Sequence, residues 1–360
     1  MKIRTLVVAV ALLAALSVAA FLRNRPEAQV SADPRVGAPV LDRDTASRAA
    51  GLVVSDQGKT VELAKGAGGA WRVTSYYGLP ADFEKVSRLV QDLNEAKVER
   101  LVTSSPDRLE HMEFKDSSIT LRDGAGKDIW GVTFGKTPDS GNGRFIRFGS
   151  EPRAYFSGLH VWLDTDAKGW ANADLLGVKP EDVAKVEIPF ETGGTVTLSR
   201  ATKDAPWAAS GGPPGLALLP DRASSLVTAL TSLRFTDTSD AKDPQAAEAA
   251  RHARTFRLSL FDGRALTVSL GRKPEERKYR APVADSRESL AAVAKAADAK
   301  PVAPEFDTVP AGPVYATASS PDPAAPVNDL MRRRAYQVDE YTFTGLPQNP
   351  GELFEAAKAK

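Results

Sequence analysis

Two stretches of this 360-residue chain, about 136 residues apart, carry the same landmark residues. Trp71 matches Trp207, and Gly135 matches Gly271, each at a spacing of 136. The helix pattern Val86, Val90, Leu93 matches Leu226, Leu230, Leu233 at a spacing of 140. The four extra residues fit the glycine- and proline-rich loop 211–215. An internal repeat of this kind predicts two copies of one folding unit, and it constrains the architecture more than any other feature.

Each copy is predicted to be an α+β unit. Alternating apolar residues and turn dipeptides predict strands, and apolar residues at steps of three and four predict one helix per copy. Pro80 and Pro220 stand where these helices are expected to begin, because proline fits the first helical turn. The copies span 51–158 and 183–319. The predicted fold class is α+β, with tandem duplicated β-β-α-β-β-β-β units, antiparallel sheets and one preceding N-terminal transmembrane helix.

The remaining segments connect or extend these copies. Residues 159–182 are predicted to bridge the copies with a short helix. An insert at 284–310 interrupts the second copy, and its residues 286–298 are compatible with a surface helix. The tail, residues 320–360, is predicted to contain two short helices. These helices are expected around Leu330–Tyr336 and Leu353–Lys358.

The N-terminus predicts a membrane anchor. Lys2 and Arg4 precede an uncharged run, Thr5–Leu22, which Arg23 and Arg25 follow at once. As a helix this run spans about 27 Å, close to the thickness of a bilayer core. Residues 1–23 are therefore predicted to form a single span. A short basic tail usually stays in the cytoplasm, so the body is expected on the periplasmic side of a bacterial inner membrane.

A cleavable signal peptide is the alternative for the same run. Val18 and Ala20 would then occupy the −3 and −1 positions of a cut before Phe21, and the product would be a secreted soluble protein. In either case residues 24–50 are predicted to be a flexible tether, because three prolines and scattered charges occur between Asn24 and Ser47.

Composition excludes several classes of site. The chain has no cysteine, which excludes disulfides, thiolate metal sites, cysteine nucleophiles and a lipoprotein signal. The 47 basic and 46 acidic residues nearly cancel, so no global attraction to nucleic acid is expected.

Two loops approach known ligand-binding motifs without completing them. Gly131–Thr137 has three residues between its glycines where a phosphate-binding loop needs four, and a turn follows where that loop needs a helix. Asp164–Gly169 begins like a calcium loop, but Lys168 stands at the fifth position, where an oxygen ligand is required. Both are interpreted as turns.

The other candidates are also interpreted as structural. His111 lies between Glu110 and Glu113, but no second histidine has a spacing suited to zinc. Trp71 and Trp207 are predicted to be core residues. The basic and aromatic strand Arg144–Phe148 is interpreted as half-buried, and Arg332–Arg334 as a solvated helix face or a patch for anionic lipid or an acidic partner. No catalytic, cofactor-binding or metal-binding residue is predicted, and no cofactor.

The order of these elements resembles a known family. The tryptophan strand, the proline-led helix, the Asp-Gly hairpin closing on Gly135, the Tyr155 strand and the bridge leading to Pro180-Glu181-Asp182-Val183 are similar to the domain-of-unknown-function family 4340. The resemblance covers about Gly51–Ser319 and the anchor. It departs at His111-Met112-Glu113, where a Gly-Leu pair is expected. It implies a bacterial, membrane-anchored protein without assigned catalytic residues, often a partner of ABC-type transport systems, including those of gliding motility.

We therefore expect a non-enzymatic, membrane-tethered accessory or scaffold protein with protein partners in the envelope, such as transporter subunits, and no nucleic-acid partner. The contact surface would be the cleft between the copies or an exposed sheet edge. The alternative is an envelope hydrolase or a binding protein for cell-wall or polysaccharide material.

Overall fold

The computed structural model describes residues 33–138, 141–279 and 306–356, which form parts of two compact units, Met1–Ala171 and Asn172–Lys360. Both units are mainly antiparallel β-sheet with a few helices, which confirms the predicted α+β class. The predicted span, the first part of the tether and most of the insert with its helix lie outside the described residues. Within the described ranges, every helix is too short or too polar to cross a bilayer.

The first unit contains one nine-stranded sheet. Its strands are β1 (Gly51–Asp56), β2 (Lys59–Lys65), β3 (Trp71–Val73), β4 (Leu79–Pro80), β5 (Val98–Thr103), β6 (Ser118–Arg122), β7 (Asp128–Phe134), β8 (Arg144–Phe148) and β9 (Ala154–Ser157). Its helices are α1 (Arg43–Arg48), α2 (Phe83–Glu95) and α3 (Pro106–Glu110), with a 3₁₀ turn at Lys168–Trp170. The strand order is β4-β3-β2-β1-β6-β7-β8-β9-β5. Alternate residues of β6, such as Ile119 and Leu121, are buried, while their neighbours are half-exposed, so one face of the sheet is open.

Helix α2 begins three residues later than predicted. Pro80 belongs to β4, and the Asp82 side chain caps the helix by accepting a hydrogen bond from the Lys85 N–H at 3.2 Å. The buried positions are Val86, Leu89 and Leu93, whereas Val90 is only half-buried. The predicted start was wrong, because the helix begins directly after the capping Asp82 and not at the nearby Pro80.

The predicted tether is partly wrong, because residues 33–50 belong to the folded body. Val40 and Leu41 are buried, and the Leu41 N–H donates to the Leu93 carbonyl at 3.0 Å. The Gly37 N–H donates to the Val98 carbonyl at 2.7 Å, which ties this segment to β5. The proline content of the segment suggested a linker, but one apolar pair was enough to bring it into the core.

The second unit contains an eight-stranded sheet and two small strand pairs. Its strands are β10 (Val183–Pro189), β11 (Thr195–Ser199), β12 (Ala208–Ser210), β13 (Leu216–Leu218), β14 (Phe235–Asp240), β15 (Ala253–Leu260), β16 (Ala265–Arg272), β17 (Glu276–Tyr279), β18 (Phe306–Val309), β19 (Val314–Ser319), β20 (Arg334–Val338) and β21 (Phe354–Ala356). Its helices are α4 (Pro220–Thr231), α5 (Pro244–Arg251), α6 (Pro326–Arg333) and α7 (Glu340–Thr344), with 3₁₀ turns at Pro180–Asp182 and Pro350–Leu353. The large sheet has the order β12-β11-β10-β15-β16-β19-β20-β14, and the small pairs are β13–β21 and β17–β18.

The tail contributes to this fold, contrary to the predicted boundary at Ser319. The helix expected around Leu330–Tyr336 ends at Arg333, and the next five residues form β20 between β19 and β14. Tyr336 is fully buried in that strand. The residues from Leu353 onward end a 3₁₀ turn and form β21 instead of a helix, and Lys358 lies outside the described residues.

The two large sheets have the same strand connectivity once β4, β13, β17, β18 and α6 are set aside. In each, three strands, a helix, a strand, a second helix and four strands follow in chain order and occupy the same places in the sheet. In both long helices the buried positions include those 4, 7 and 11 residues after the N-cap, which is Asp82 in α2 and Leu219 in α4. These buried positions match at a spacing of 137, whereas the apolar pattern in the sequence matches at 140.

Gly135 and Gly271 each allow the backbone of a helix end to come close to the sheet. A Cβ added at Gly135 would lie 2.5 Å from the Met112 carbonyl oxygen, just after α3. A Cβ added at Gly271 would lie 2.2 Å from the carbonyl oxygen of Ala249 in α5. Because real Cβ atoms do not approach backbone so closely, each glycine lets a helix end pack onto the sheet.

Candidate functional site

A broad depression in the first unit lies over β6, β7 and the turn after β8. Its volume is about 510 Å³, and it is broadly open to solvent. Small-molecule sites typically occupy roughly 300–1,000 Å³, so the volume suits such a ligand. The lining residues are Arg35, Ser118, Thr120, Asp128, Ile129, Trp130, Gly131, Val132, Thr133, Phe148, Gly149, Ser150 and Glu151.

Two glycines form part of the floor of this depression. Gly131 lies in β7 opposite Thr120 of β6, and its carbonyl accepts a hydrogen bond of 3.0 Å from the Gly149 N–H. A Cβ at Gly149 would meet nothing within 4 Å, and one at Gly131 would have only ordinary contacts, the nearest 3.5 Å from the Thr120 hydroxyl. The floor is therefore exposed backbone between adjacent strands.

Hydroxyl groups stand around this floor. Ser118 and Thr133 are cross-strand partners, and Thr120 is on the same face because it is two residues from Ser118. All three side chains are half-exposed. None of the three hydroxyls has a protein hydrogen-bond partner within the described ranges. Each can donate and accept, so this face has unused hydrogen-bonding capacity.

The charges at the rim are paired. Arg35 forms an ion pair with Glu151 and lies 4.2 Å from the centroid of the Phe148 ring. The Asp128 carboxylate bonds to Arg122 at 3.0 Å, and this hydrogen bond is the main reason that the pKa of Arg122 is raised. The rim therefore carries little uncompensated charge.

A buried carboxylate next to this rim links the segment before α1 to β9. The Asp33 side chain accepts hydrogen bonds from the Tyr155 hydroxyl at 3.1 Å, from Arg153 at 3.1 Å and from the Arg35 N–H at 3.0 Å. Burial works to raise the pKa of Asp33, but these donors outweigh it and hold the pKa below its ordinary value of 3.8. Burial is the main reason that the pKa of Tyr155 is raised. The cluster has a structural role, because the three groups that donate hydrogen bonds to the Asp33 carboxylate all belong to the first unit.

The loop that begins like a calcium site, Asp164–Gly169, binds the partly exposed side chain of Lys85 from α2. The Lys85 ammonium group pairs with the Asp164 carboxylate, donates to the Gly169 carbonyl at 2.9 Å and lies 4.6 Å from the Trp170 ring centroid. Burial works to raise the pKa of Asp164, but the hydrogen bonds from Lys85 and from the Asp166 N–H hold it below 3.8. The loop fixes the N-terminal turn of α2.

The other sequence candidates remain scattered. Gly131–Thr137 forms the end of β7 and an irregular segment after it, and Gly131, Val132 and Thr133 border the depression. His111 is exposed at the end of α3. Across the described ranges, no three His, Cys, Asp or Glu side chains are placed to hold a metal ion.

The basic patches are largely tied to neighbouring groups. The Arg144 and Arg147 side chains are half-buried, as predicted, and lie over aromatic rings at 5.5 and 5.2 Å. Arg332 and Arg333 both pair with Asp329, and Arg334 lies in β20 rather than on a helix. The predicted solvated helix face therefore holds for only part of this run.

The two repeated tryptophans are not core residues, which corrects that prediction. Both are half-buried near the edge of a sheet, and each lies beneath a cation. Lys65 lies 5.3 Å from the Trp71 ring centroid, and Arg200 lies 4.5 Å from that of Trp207. Repetition of the residue thus reflects a repeated edge contact.

Sequence reasoning missed the depression over β6 and β7. Its hydroxyl residues alternate with buried apolar residues, which is the pattern of any one-sided strand. The only available signal was a glycine in the middle of a strand that needs no turn.

Comparison with known proteins identifies the family. Residues 71–251 match the family described as Domain of unknown function (DUF4340). No curated protein and no solved structure gives a significant match. The matched segment runs from β3 to the end of α5 and includes every strand beneath the depression. Because this match extends over half of the chain, the protein belongs to the domain-of-unknown-function family DUF4340.

Proposed function

We propose that this protein is a non-enzymatic, single-pass membrane-tethered protein whose body lies outside the cytoplasm. It would act as an accessory or scaffold beside an ABC-type transport system. The transport association is supported only by the family resemblance. The membrane position is supported by the uncharged run Thr5–Leu22 between basic residues.

The observation that carries this proposal is how soon after the apolar run a residue is held in the folded body. Asp33 is already locked to Tyr155, so only residues 23–32 separate the apolar run from the body. Ten residues reach at most about 35 Å when fully extended. A tether this short would keep the first unit close to the bilayer, with the β5 and β9 edge of its sheet nearest the anchor.

We also propose that the two units are duplicated copies. The matching strand order and the matching buried positions of α2 and α4 support this proposal. Each copy has a sheet with two end strands, which are β4 and β5 in the first unit and β12 and β14 in the second. Strand edges are common sites of protein contact, and they supply surfaces for envelope partners.

Membrane attachment is tested by placing a charge in the apolar run. Leu12→Arg should move the full chain from the membrane fraction to the soluble fraction, or stop its export, because arginine at the centre of a span costs roughly 2.5–3.5 kcal/mol. Leu12→Ile is the matched control and should remain in the membrane. A measured mass that corresponds to a mature chain starting at Phe21 would contradict the anchor.

The scaffold role is tested by crosslinking in intact cells followed by purification from membranes. Transporter subunits should be recovered with the wild-type chain and with Leu12→Ile, and should be lost with Leu12→Arg. Recovery of no transporter subunit with the wild-type chain would overturn this part of the proposal.

A further inference from the structure

We propose that the depression over Gly131 binds a neutral saccharide of one to three rings. This inference goes beyond the scaffold role and does not depend on membrane attachment, because the depression lies entirely within the first unit.

The first argument is that the fold does not require glycine at position 131. Its backbone φ is not positive, and an added Cβ would meet Thr120 at 3.5 Å and the Ile119 carbonyl at 3.8 Å, which are ordinary contacts. Gly135, four residues later, is explained by the close Met112 carbonyl, but no such neighbour explains Gly131. Glycine inside a strand is destabilising and often marks a place where a ligand approaches the backbone.

The second sheet offers an internal comparison. Its β16 occupies the place that β7 has in the first sheet, and Thr267 stands opposite Arg257 where Gly131 stands opposite Thr120. On the next strand the partner of Thr267 is Ser319, where the first sheet has Gly149. A sheet of this connectivity therefore accepts a side chain at the position of Gly131, whereas Gly149 has a φ of +48° and the turn after β8 itself favours glycine there.

The chemistry of the surrounding groups selects the ligand class. Ser118, Thr120 and Thr133 present hydroxyls without protein partners among the described residues. A saccharide needs many groups that both donate and accept hydrogen bonds, and hydroxyls provide both functions. Trp130 also borders the depression, but its side chain lies on the opposite face of β7, where the indole N–H donates to the Val40 carbonyl at 3.2 Å. The hydroxyls therefore carry the recognition.

The electrostatics argue against a charged ligand. Arg35 is neutralised by Glu151, and Asp128 is neutralised by Arg122. A phosphate or a cation would have to break one of these pairs to gain a partner, whereas a neutral ligand leaves both intact. The exposed backbone of Gly131 and Gly149 would let a flat ring lie directly on the sheet.

The test is binding of defined saccharides to the full chain in detergent micelles. Saturation-transfer NMR and calorimetry are performed with an N-acetylglucosamine trimer, with maltotriose and with inorganic phosphate. We expect a Kd of order 1 mM for at least one sugar, which corresponds to about 4 kcal/mol. Preference for the acetylated trimer indicates a wall-type glycan, and preference for maltotriose indicates a glucan. Binding of phosphate alone would overturn the proposal.

Variants separate binding from folding. Gly131→Thr copies the residue of the second sheet and should weaken sugar binding at least tenfold while the thermal transition stays close to that of wild type. Thr133→Val removes a hydroxyl with little change of shape and should weaken binding severalfold. Thr267→Val is the matched control in the second unit and should bind as wild type does. Absence of saturation by either sugar at about 10 mM, or unchanged binding by Gly131→Thr, would overturn the proposal.

Discussion

Three glycines, two within strands and Gly135 just after β7, are predicted to respond in opposite ways to the same substitution. Gly135→Ala and Gly271→Ala would place a Cβ 2.5 and 2.2 Å from a backbone carbonyl oxygen, which cannot swing aside as a flexible side chain can. Gly131→Ala would place its Cβ no closer than 3.5 Å to any neighbour. Gly135 and Gly271 are thus the two test positions, and Gly131 is the control.

The magnitudes follow from these contacts. Forcing extra atoms into a packed site costs typically about 1–3 kcal/mol, so Gly135→Ala and Gly271→Ala should each lower the free energy of unfolding of their own unit by this amount. Gly131→Ala should instead be neutral, or stabilising by about 0.4–1 kcal/mol, because alanine restricts the unfolded chain. For units of this size 1 kcal/mol shifts the melting temperature by roughly 2–4 °C.

The assay is calorimetry together with urea denaturation of the full chain. Calorimetry should show a transition lowered in the Gly135→Ala and Gly271→Ala variants and unchanged or raised in Gly131→Ala. Equal effects at all three positions would refute the reasoning, because they would mean that helix contact with the sheet does not decide the cost.

Three further predictions concern polar contacts and the tail. Lys85→Met should lower the free energy of unfolding by about 1 kcal/mol, since its ion pair is partly exposed; thermal denaturation measures this, and Lys85→Arg should lose less. Tyr155→Phe removes one donor to Asp33 and should cost about 1 kcal/mol at neutral pH. The pKa of Asp33 is lowered in the folded state, so the ionised carboxylate stabilises the protein above its unfolded pKa. This stabilisation is lost as the pH falls below 3.8. The free energy of unfolding of Tyr155→Phe should therefore differ less from that of wild type at pH 3 than at pH 7. A chain ending at Ser319 lacks Tyr336 and the strand that carries it, and it should lose the cooperative melting transition of the second unit while that of the first unit remains. A second-unit transition at the wild-type temperature would contradict the assigned sheet.

The sequence predicted the elements whose local pattern and tertiary environment agree. Ile119 and Leu121 alternate with polar residues and lie in a one-sided strand, as expected. The spacing shared by Gly135 and Gly271 pointed to equivalent positions, which the contacts of both glycines with helix ends now explain. These features depend on side-chain period and on backbone space, both of which can be read from residue order.

Prediction failed where long-range contacts decide the structure. Val40 and Leu41 are too few to form a pattern, so their burial against α2 could not be seen from composition. The strand Arg334–Val338 follows a helix without a break and was taken for its last turn. The depression was missed because its hydroxyl residues follow ordinary strand alternation, and only the register between β6 and β7 brings them together.

The pairing of β14 with β20 sets an order for synthesis and folding of the second unit. Phe235 of β14 is paired with Val338 of β20, about 100 residues later in the chain, whereas β5 pairs with β9 after about 55. At roughly 5–20 residues per second the ribosome needs about 5–20 s to deliver the missing partner. During this interval β14 lacks β20, its neighbour in the described sheet, so nascent chains stalled before residue 334 should be the aggregation-prone species and the natural clients of chaperones.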